Sequence, residues 1–118
     1  MASGAIAPAR GIRVERWMDG EEEEIPDGLK IVIYRVLQEA LNNVANHSRA
    51  DRVFLSLKTS SEGIELTVED TGDGFDPDNC RVGLGLGSMR ERVELSGGRF
   101  HMESTIGKGN VIRALWPV

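Results

Sequence analysis

The chain has 118 residues, 40% of them apolar and 28% charged, and its formal net charge is −5 at pH 7. This length fits one domain with its own core, and the acidic balance argues against a broad surface for nucleic acid or anionic lipid. No apolar run approaches the roughly 20 residues of a membrane-spanning helix. Cys80 is the only cysteine, which excludes an internal disulfide and a cysteine metal cluster and fits a reducing cytoplasm.

The first half of the chain predicts a strand followed by a helix. Residues 1–10 are small and apolar without a basic start, so we expect a flexible lead-in there and one domain over 11–118. A short strand is predicted at 12–17, before an acidic turn. From 27 to 47 the pattern is helical, because apolar residues recur at three- and four-residue spacing in one stripe: Ile33, Val36, Leu37, Ala40, Leu41 and Val44.

Four more strands and a second helix complete the predicted fold. Alternating residues predict two pairs of strands, each joined by a short turn: 53–58 with 64–69, and 99–104 with 111–116. A glycine-rich stretch at 70–87 leads into a helix that Ser88 and Glu91 should begin as a capping box and Gly97-Gly98 should end. The order β-α-β-β-loop-α-β-β predicts an α+β fold, a two-layer α/β sandwich with helices on one face of the sheet.

The first predicted helix carries more polar groups than its core face needs. Glu39 and Asn43 are four residues apart on one side of it, and Asn46 continues the same strip. A carboxylate and a carboxamide on adjacent turns can hold Mg²⁺ or a water through oxygen atoms. On this helix alone, a solvated helix edge is the other interpretation and the more common one. His47 fits a helix-end residue, and no second His or Cys is spaced to form a metal site with it.

A second candidate is Asp70, which continues the inward phase of the strand at 64–69. Its carboxylate should therefore point towards the core, where an ionised acid needs a partner. Gly72 and Gly74 follow and let backbone and ligand approach closely. A buried acceptor beside glycines suits the amino group of an adenine; alternatively, Asp70 only caps its own turn. The aspartates that follow do not have the spacing of a calcium loop.

The glycine-rich segment that enters the second helix is a third candidate. Gly83, Gly85 and Gly87 precede that helix, where free N–H groups and the positive end of the helix dipole favour phosphate oxygens. The segment has neither the Walker pattern nor the dinucleotide-binding pattern directly after a strand.

Together these segments resemble the ATP-binding domain of sensor histidine kinases, of the nitrate/nitrite-sensor type, within the gyrase, chaperone, histidine-kinase and mismatch-repair ATPase superfamily. The resemblance covers nearly everything after residue 10 and rests on motifs in the expected order: YRVLQEALNN at 34–43, DTGDGF at 70–75, GLGLGSMRER at 83–92, GKG at 107–109 and LWP at 115–117. It implies a Bergerat-type ATP-binding fold, a mixed and mostly antiparallel sheet covered on one face by helices.

The resemblance also implies Mg–ATP binding and donation of the γ-phosphoryl group to a histidine on a dimerisation domain. Asn43 is then the magnesium ligand and Glu39 the catalytic carboxylate that positions or activates a water or the acceptor. Asp70 accepts a hydrogen bond from the adenine amino group, and 73–84 is a mobile lid over ATP. The residues expected to contact the nucleotide are Asn43, Asp70, Gly72, Gly74, Gly83, Gly85, Leu86 and Gly87.

Three positions depart from the pattern of the family. Asn46 stands where a phosphate-facing Lys is usual, which lowers the expected activity unless Arg90 or Arg92 supplies the cation. Thr71 replaces a common Asn, a mild change. Asn110 replaces a Thr and puts one water-mediated adenine contact in question.

Neither histidine lies in a context that resembles the phospho-accepting motif, since His47 belongs to the ATP-binding helix and His101 to a late strand. We therefore expect a catalytic fragment whose partners are a histidine-bearing dimerisation domain and, indirectly, a response regulator. We expect no nucleic acid, no direct membrane contact, a cytoplasmic location and a monomer in isolation. The alternatives are a serine kinase of the anti-sigma-factor type and a nucleotide-sensing module without transfer activity.

Overall fold

The computed structural model describes residues 2–6, 13–44, 52–72, 86–105 and 107–117. They form six strands, two α-helices and a short 3₁₀ helix at Glu22–Glu24. In chain order the elements are β1 (Ala2–Ile6), β2 (Arg13–Asp19), α1 (Asp27–Asn43), β3 (Arg52–Ser60), β4 (Gly63–Asp70), α2 (Leu86–Leu95), β5 (Arg99–Thr105) and β6 (Gly109–Pro117). Neither described helix combines the length and apolar character that a membrane crossing requires.

All six strands belong to one sheet with the order β1-β2-β3-β4-β6-β5. Only β2 and β3 pair in parallel, and α1 is the crossover between them. The other neighbours are antiparallel, and β3 and β4 form the predicted hairpin. The expectation of a mixed, mostly antiparallel sheet is confirmed.

The core lies between the two helices and one face of the sheet. Period-two alternation on β4 and β6 sends every second residue inwards, so that Leu66 faces Ala114 and Val68 faces Ile112 across the two strands. The helices bury Val36 and Ala40 of α1 and Met89 and Val93 of α2 in the same cluster. This arrangement confirms the two-layer sandwich, because the buried stripes of both helices cover a single sheet face.

Two local predictions were wrong. Residues 2–6, expected in a flexible lead-in, form the edge strand β1, because their backbone pairs antiparallel with β2. The second helix begins at Leu86 rather than after a cap at Ser88, so Ser88 lies inside the first turn and cannot be its N-cap. The predicted end of α2 is confirmed: Gly97 has φ 88°, and the Gly98 N–H donates to the carbonyl of Val93 at 2.9 Å.

Candidate functional site

Three polar side chains lie side by side where the apolar face of the sheet ends. The strand register pairs Asp70 of β4 with Asn110 of β6, and Asn110 in turn with Ser104 of β5. These positions continue the inward phase of the core residues, so the three side chains share the face that the helices cover. We call them the polar row, and its side of the domain the Asp70 end of the sheet.

Asp70 is the one buried charged residue in the described part of the chain, with 7% of its surface exposed. Its Oδ1 accepts the Gly72 N–H at 2.9 Å, and the Asn110 Nδ2 donates to Oδ1 at 3.3 Å and Oδ2 at 3.0 Å. The turn-capping role that the sequence left open is therefore present. The capping hydrogen bond from Gly72 occupies one acceptor position on Oδ1. A carboxylate has about four acceptor positions, so Oδ2 can accept a hydrogen bond from a further donor.

Asn110 and Ser104 are the residues of this site that the sequence did not identify as binding residues. The Ser104 hydroxyl donates to Oδ1 of Asn110, while Nδ2 of the same amide donates to the Asp70 carboxylate. A signal was available, because Asn110 has the same strand phase as the buried Ile112 and Ala114. The sequence pattern could not show that Asn110 contacts Asp70, because the two residues are 40 positions apart in the chain.

Close packing at Gly109 brings β6 against the backbone of Asp70. Gly109 has φ 104°, and a Cβ at this position would overlap the backbone oxygen of Asp70. Gly107, in the same turn, has φ 83° but open space around the position of a Cβ. Glycine is therefore needed at 107 only for its backbone conformation, and at 109 for conformation and space.

We expect Gly109→Ala to lower the free energy of unfolding by about 2–5 kcal/mol, the sum of left-handed backbone strain and overpacking. Gly107→Ala should cost only the backbone strain, about 1–2 kcal/mol. Urea unfolding of the two variants measures both values. Equal losses would show that β6 can move from Asp70 without cost.

The C-terminal half of α1 carries Glu39 and Asn43 towards the Asp70 end of the sheet. Because α1 joins two parallel neighbouring strands, it must run back along them, from the end of β2 at Asp19 towards the start of β3 at Arg52. Position 53, next in β3, pairs with Asp70. Glu39 and Asn43 are half-buried and flank the core positions Ala40 and Val44, so both line the edge of the buried stripe.

The second helix starts at the same end. β4 ends at Asp70 and β5 starts opposite Leu115, so α2 between them runs away from the Asp70 end. The C-terminal end of α2 is held at the opposite end of the sheet, because the Trp116 Nε1 donates to Ser96 Oγ at 2.8 Å. Leu86 and Gly87 form the first two residues of α2, and the positive end of the helix dipole therefore lies at the Asp70 end.

Several of the residues discussed from the sequence lie outside the described residues. These are Gly74, Gly83 and Gly85, the lid predicted at 73–84, and Asn46 and His47.

Arg90, a candidate replacement for the missing lysine, has its guanidinium 5.2 Å from the centre of the Phe100 ring. That contact holds Arg90 against β5.

The opposite end of the domain contains a separate cavity of about 380 Å³, lined among others by Leu29, Ile64 and Trp116. Ile64 and Trp116 pair at the end of β4 that is farthest from Asp70. The cavity is therefore not part of the candidate site.

Comparison with known proteins identifies the family to which this arrangement belongs. The model of the family described as histidine kinase-, DNA gyrase B- and HSP90-like ATPase matches residues 28–118. The chain belongs to this family. The matched range includes Asp70, the polar row and both helices, and the prediction of an ATP-binding domain of this superfamily is confirmed.

Two curated relatives are named as sensor histidine kinases. The chain is 34% identical over 110 residues to the oxygen sensor histidine kinase NreB of Staphylococcus carnosus, covering 92% of this chain and 32% of that protein. It is 36% identical over 101 residues to the sensor histidine kinase LiaS of Bacillus subtilis, covering 85% and 28%. The chain thus spans about a third of the length of these relatives. The narrower nitrate/nitrite-sensor type stays a prediction.

A solved structure supports the fold. The ATP-binding domain of PrrB from Mycobacterium tuberculosis superposes with a TM-score of 0.62 at 25% identity, covering 74% of this chain and 67% of that one. A blue-light activated histidine kinase of Erythrobacter litoralis gives a TM-score of 0.67 at 24% identity, covering 88% and 35%. The expected Bergerat-type fold is confirmed.

Proposed function

We propose that this domain binds Mg–ATP at the Asp70 end of the sheet and presents its γ-phosphoryl group to a histidine on a separate dimerisation domain. The observation that carries the proposal is the buried Asp70 carboxylate, which is held by two donors and keeps acceptor capacity on Oδ2. The C-terminal end of α1 and the N-terminal end of α2 lie at the same end of the sheet. Their polar groups suit a metal–phosphate ligand rather than an apolar one.

In this proposal Asp70 accepts a hydrogen bond from the exocyclic amino group of adenine. Gly72, which is buried directly after β4, and Gly74 leave room for the base. Gly83, Gly85, Leu86 and Gly87 offer backbone N–H groups to the phosphates at the start of α2. At Gly87 no described atom lies within 4 Å of the position that a Cβ would occupy. Contacts among the described residues therefore do not require glycine at this position.

Asn43 and Glu39 account for the magnesium ion and the transfer step. Mg²⁺ commonly takes one or two protein oxygens together with substrate phosphates and waters, and the half-buried carboxamide of Asn43 is suited to supply one. No group of three or more His, Cys, Asp or Glu side chains in the described ranges could hold a metal ion. The ion neutralises phosphate charge when bound, and Glu39 positions or deprotonates the acceptor one helical turn away.

The partners follow from this role and are part of the proposal. A histidine-bearing dimerisation domain receives the phosphoryl group, and a response regulator receives it next, in the cytoplasm. Among the described residues, no histidine lies in a helical context like the phospho-accepting motif of these kinases. His101 is exposed on the strand β5 and contacts Glu103 through Nε2 at 3.0 Å. The hydrogen bond from His101 lowers the pKa of Glu103 below its ordinary value, consistent with a surface ion pair.

A second candidate function rests on Asn46. The position lacks the phosphate-facing lysine that the resemblance implies, and Arg90 is engaged with Phe100. A domain that binds ATP and signals its presence without transferring phosphate would need no such cation. A serine kinase of the anti-sigma-factor type is less favoured, because the relatives named above are sensor histidine kinases.

We expect Asn43→Ala to weaken ATP binding by at least roughly ten-fold in the presence of Mg²⁺ and to leave binding in EDTA unchanged, because only the metal-dependent part is lost. Calorimetric titration of ATP with magnesium and then with EDTA measures both values. Asn42→Ala, at the neighbouring exposed position of α1, is the matched control. Failure of the unsubstituted protein to bind millimolar ATP would contradict the proposed function.

A further inference from the structure

The cavity at the end of the sheet farthest from Asp70 has a floor that three adjacent strands build. The strand register pairs Thr59 of β3 with Ile64 of β4, and Ile64 with Trp116 of β6. All three side chains continue the inward phase of their strands, so they lie in one row on the face that the helices cover. Each of them lines the cavity of about 380 Å³. We call these three residues the floor row.

The ends of both helices form the walls above the floor row. α1 contributes Leu29 from its first turn, and the residues directly after α2 contribute Ser96 and Gly97. The Ser96 hydroxyl donates to the carbonyl of Val93 at 2.8 Å and accepts the Trp116 Nε1–H at 2.8 Å. These hydrogen bonds hold the indole of Trp116 against the end of α2, so that its position in the wall is fixed.

Glu24 provides the charge at this cavity. Among the described residues that line it, Glu24 is the one with a charged side chain, and none is a Lys, Arg or His. Its exposed carboxylate accepts the Glu21 N–H at Oε1, at 3.0 Å, which leaves Oε2 for another donor. The cavity therefore favours a cation, because a phosphate or a carboxylate would meet no basic group there and would be repelled by Glu24.

The floor row also contains a polar group without a partner. Thr59 Oγ1 is buried and makes no hydrogen bond with any described residue. A buried hydroxyl ordinarily has a hydrogen-bond partner. Thr59 therefore favours an occupant of the cavity that has a polar group over a pure hydrocarbon.

We propose that this cavity is a binding site for a small organic amine, a molecule with one apolar or aromatic ring and a protonated amino group. Its volume lies in the lower part of the range of roughly 300–1,000 Å³ that small-molecule sites occupy, which suits a single ring. Leu29, Ile64 and Trp116 pack against the ring, and Glu24 at the rim accepts a hydrogen bond from the ammonium group. The site is separate from the proposed nucleotide site, because Ile64 and Asp70 lie at opposite ends of β4.

Three probes of similar size test the preference for a cation: 2-phenylethylamine, the neutral 2-phenylethanol and the anion phenylacetate. Each is titrated into the 118-residue chain while NMR follows the indole N–H signals of its two tryptophans. Binding in the cavity should shift the Trp116 signal until it saturates, and should leave the signal of Trp17, which does not line the cavity, unchanged. We expect the amine to bind roughly two- to five-fold more tightly than the alcohol, and phenylacetate to bind least tightly.

Glu24→Gln is the variant that tests the charge, and Glu23→Gln is its matched control. Both glutamates are exposed in the same 3₁₀ helix, but only Glu24 lines the cavity. The amide oxygen that Glu24→Gln introduces can still accept the Glu21 N–H, so the change removes the charge and keeps the local hydrogen bond. We expect the amine to lose its advantage over the alcohol in Glu24→Gln and to keep it in Glu23→Gln.

Saturating Mg–ATP should leave the affinity for the amine unchanged, because the nucleotide is proposed to bind at the other end of the sheet. Displacement of the amine by ATP would place the probe at the nucleotide site and overturn this inference. A Trp116 signal that does not move at tens of millimolar amine, or equal affinity for the three probes, would overturn it as well. Failure of the chain to bind ATP would contradict the proposed function and leave the amine titration intact, so each proposal can fail alone.

Discussion

Glu39→Gln should reduce phosphoryl transfer to an acceptor histidine by about 10²–10⁴-fold while leaving ATP affinity nearly unchanged. The amide keeps the size of the carboxylate but cannot accept a proton or orient the acceptor imidazole as a charged base can. Glu39 is half-buried on α1, one turn before Asn43, and so lies beside the proposed metal ligand. The measurement is transfer of labelled γ-phosphate to an acceptor-histidine hairpin supplied with the domain, together with ATP titration of each variant.

The control for this prediction is Glu62→Gln, in the exposed turn between β3 and β4 at the other end of the hairpin. It changes the same functional group outside the site and should transfer phosphate at the wild-type rate. Wild-type transfer by Glu39→Gln would exclude Glu39 as the catalytic carboxylate. ATP binding without transfer in the unsubstituted domain would favour the nucleotide-sensing alternative, for which Asn46 is the motivating residue.

Asp70→Asn should weaken ATP binding by about 1.5–3 kcal/mol, or roughly 10- to 150-fold, through the loss of one charge-assisted hydrogen bond to adenine. The substitution also changes the polar row, because the amide of Asn110 would face another amide instead of a carboxylate. We therefore expect a small loss of thermal stability in addition to the loss of affinity. Calorimetric titration with ATP and GTP separates the two effects, since only the loss of base recognition changes their ratio.

Glu69→Gln is the control for this variant. It removes a negative charge at the adjacent residue, on the opposite and exposed face of β4, so it tests whether general electrostatics explain the effect. If ATP and GTP bound equally before and after Asp70→Asn, adenine recognition by this carboxylate would be wrong. In that case the capping of Gly72 would be the whole role of Asp70.

The local pattern of the sequence was sufficient for most of the fold. Apolar spacing predicted the start of α1 at Asp27, and alternation predicted the hairpin of β3 and β4 and the pair β5 and β6. Each of these depends on residues close together in the chain, where backbone geometry determines which side chains share a face. For the same reason the inward orientation of Asp70 followed from the phase of its strand.

The local pattern of the sequence did not predict two other features of the fold. β1 has small residues without alternation, and it is a strand because β2 offers its edge. The start of α2 at Leu86, two residues before the predicted cap at Ser88, was not predicted either. For β1, pairing with the neighbouring strand β2 outweighed the local preference.

The composition of the candidate site shows most clearly which features the sequence determines and which features depend on the tertiary structure. The sequence by itself determined the residue types and motif order that suit a metal–nucleotide ligand, including Glu39, Asn43 and Asp70. Only the tertiary structure decided that Asn110 and Ser104 complete the surroundings of Asp70, and that α1 ends and α2 begins at the same end of the sheet. The physical reason is strand register, which depends on hydrogen bonding between β4 and β6, whose paired residues are 40 or more positions apart in the chain, and which leaves no trace in the periodicity of either strand.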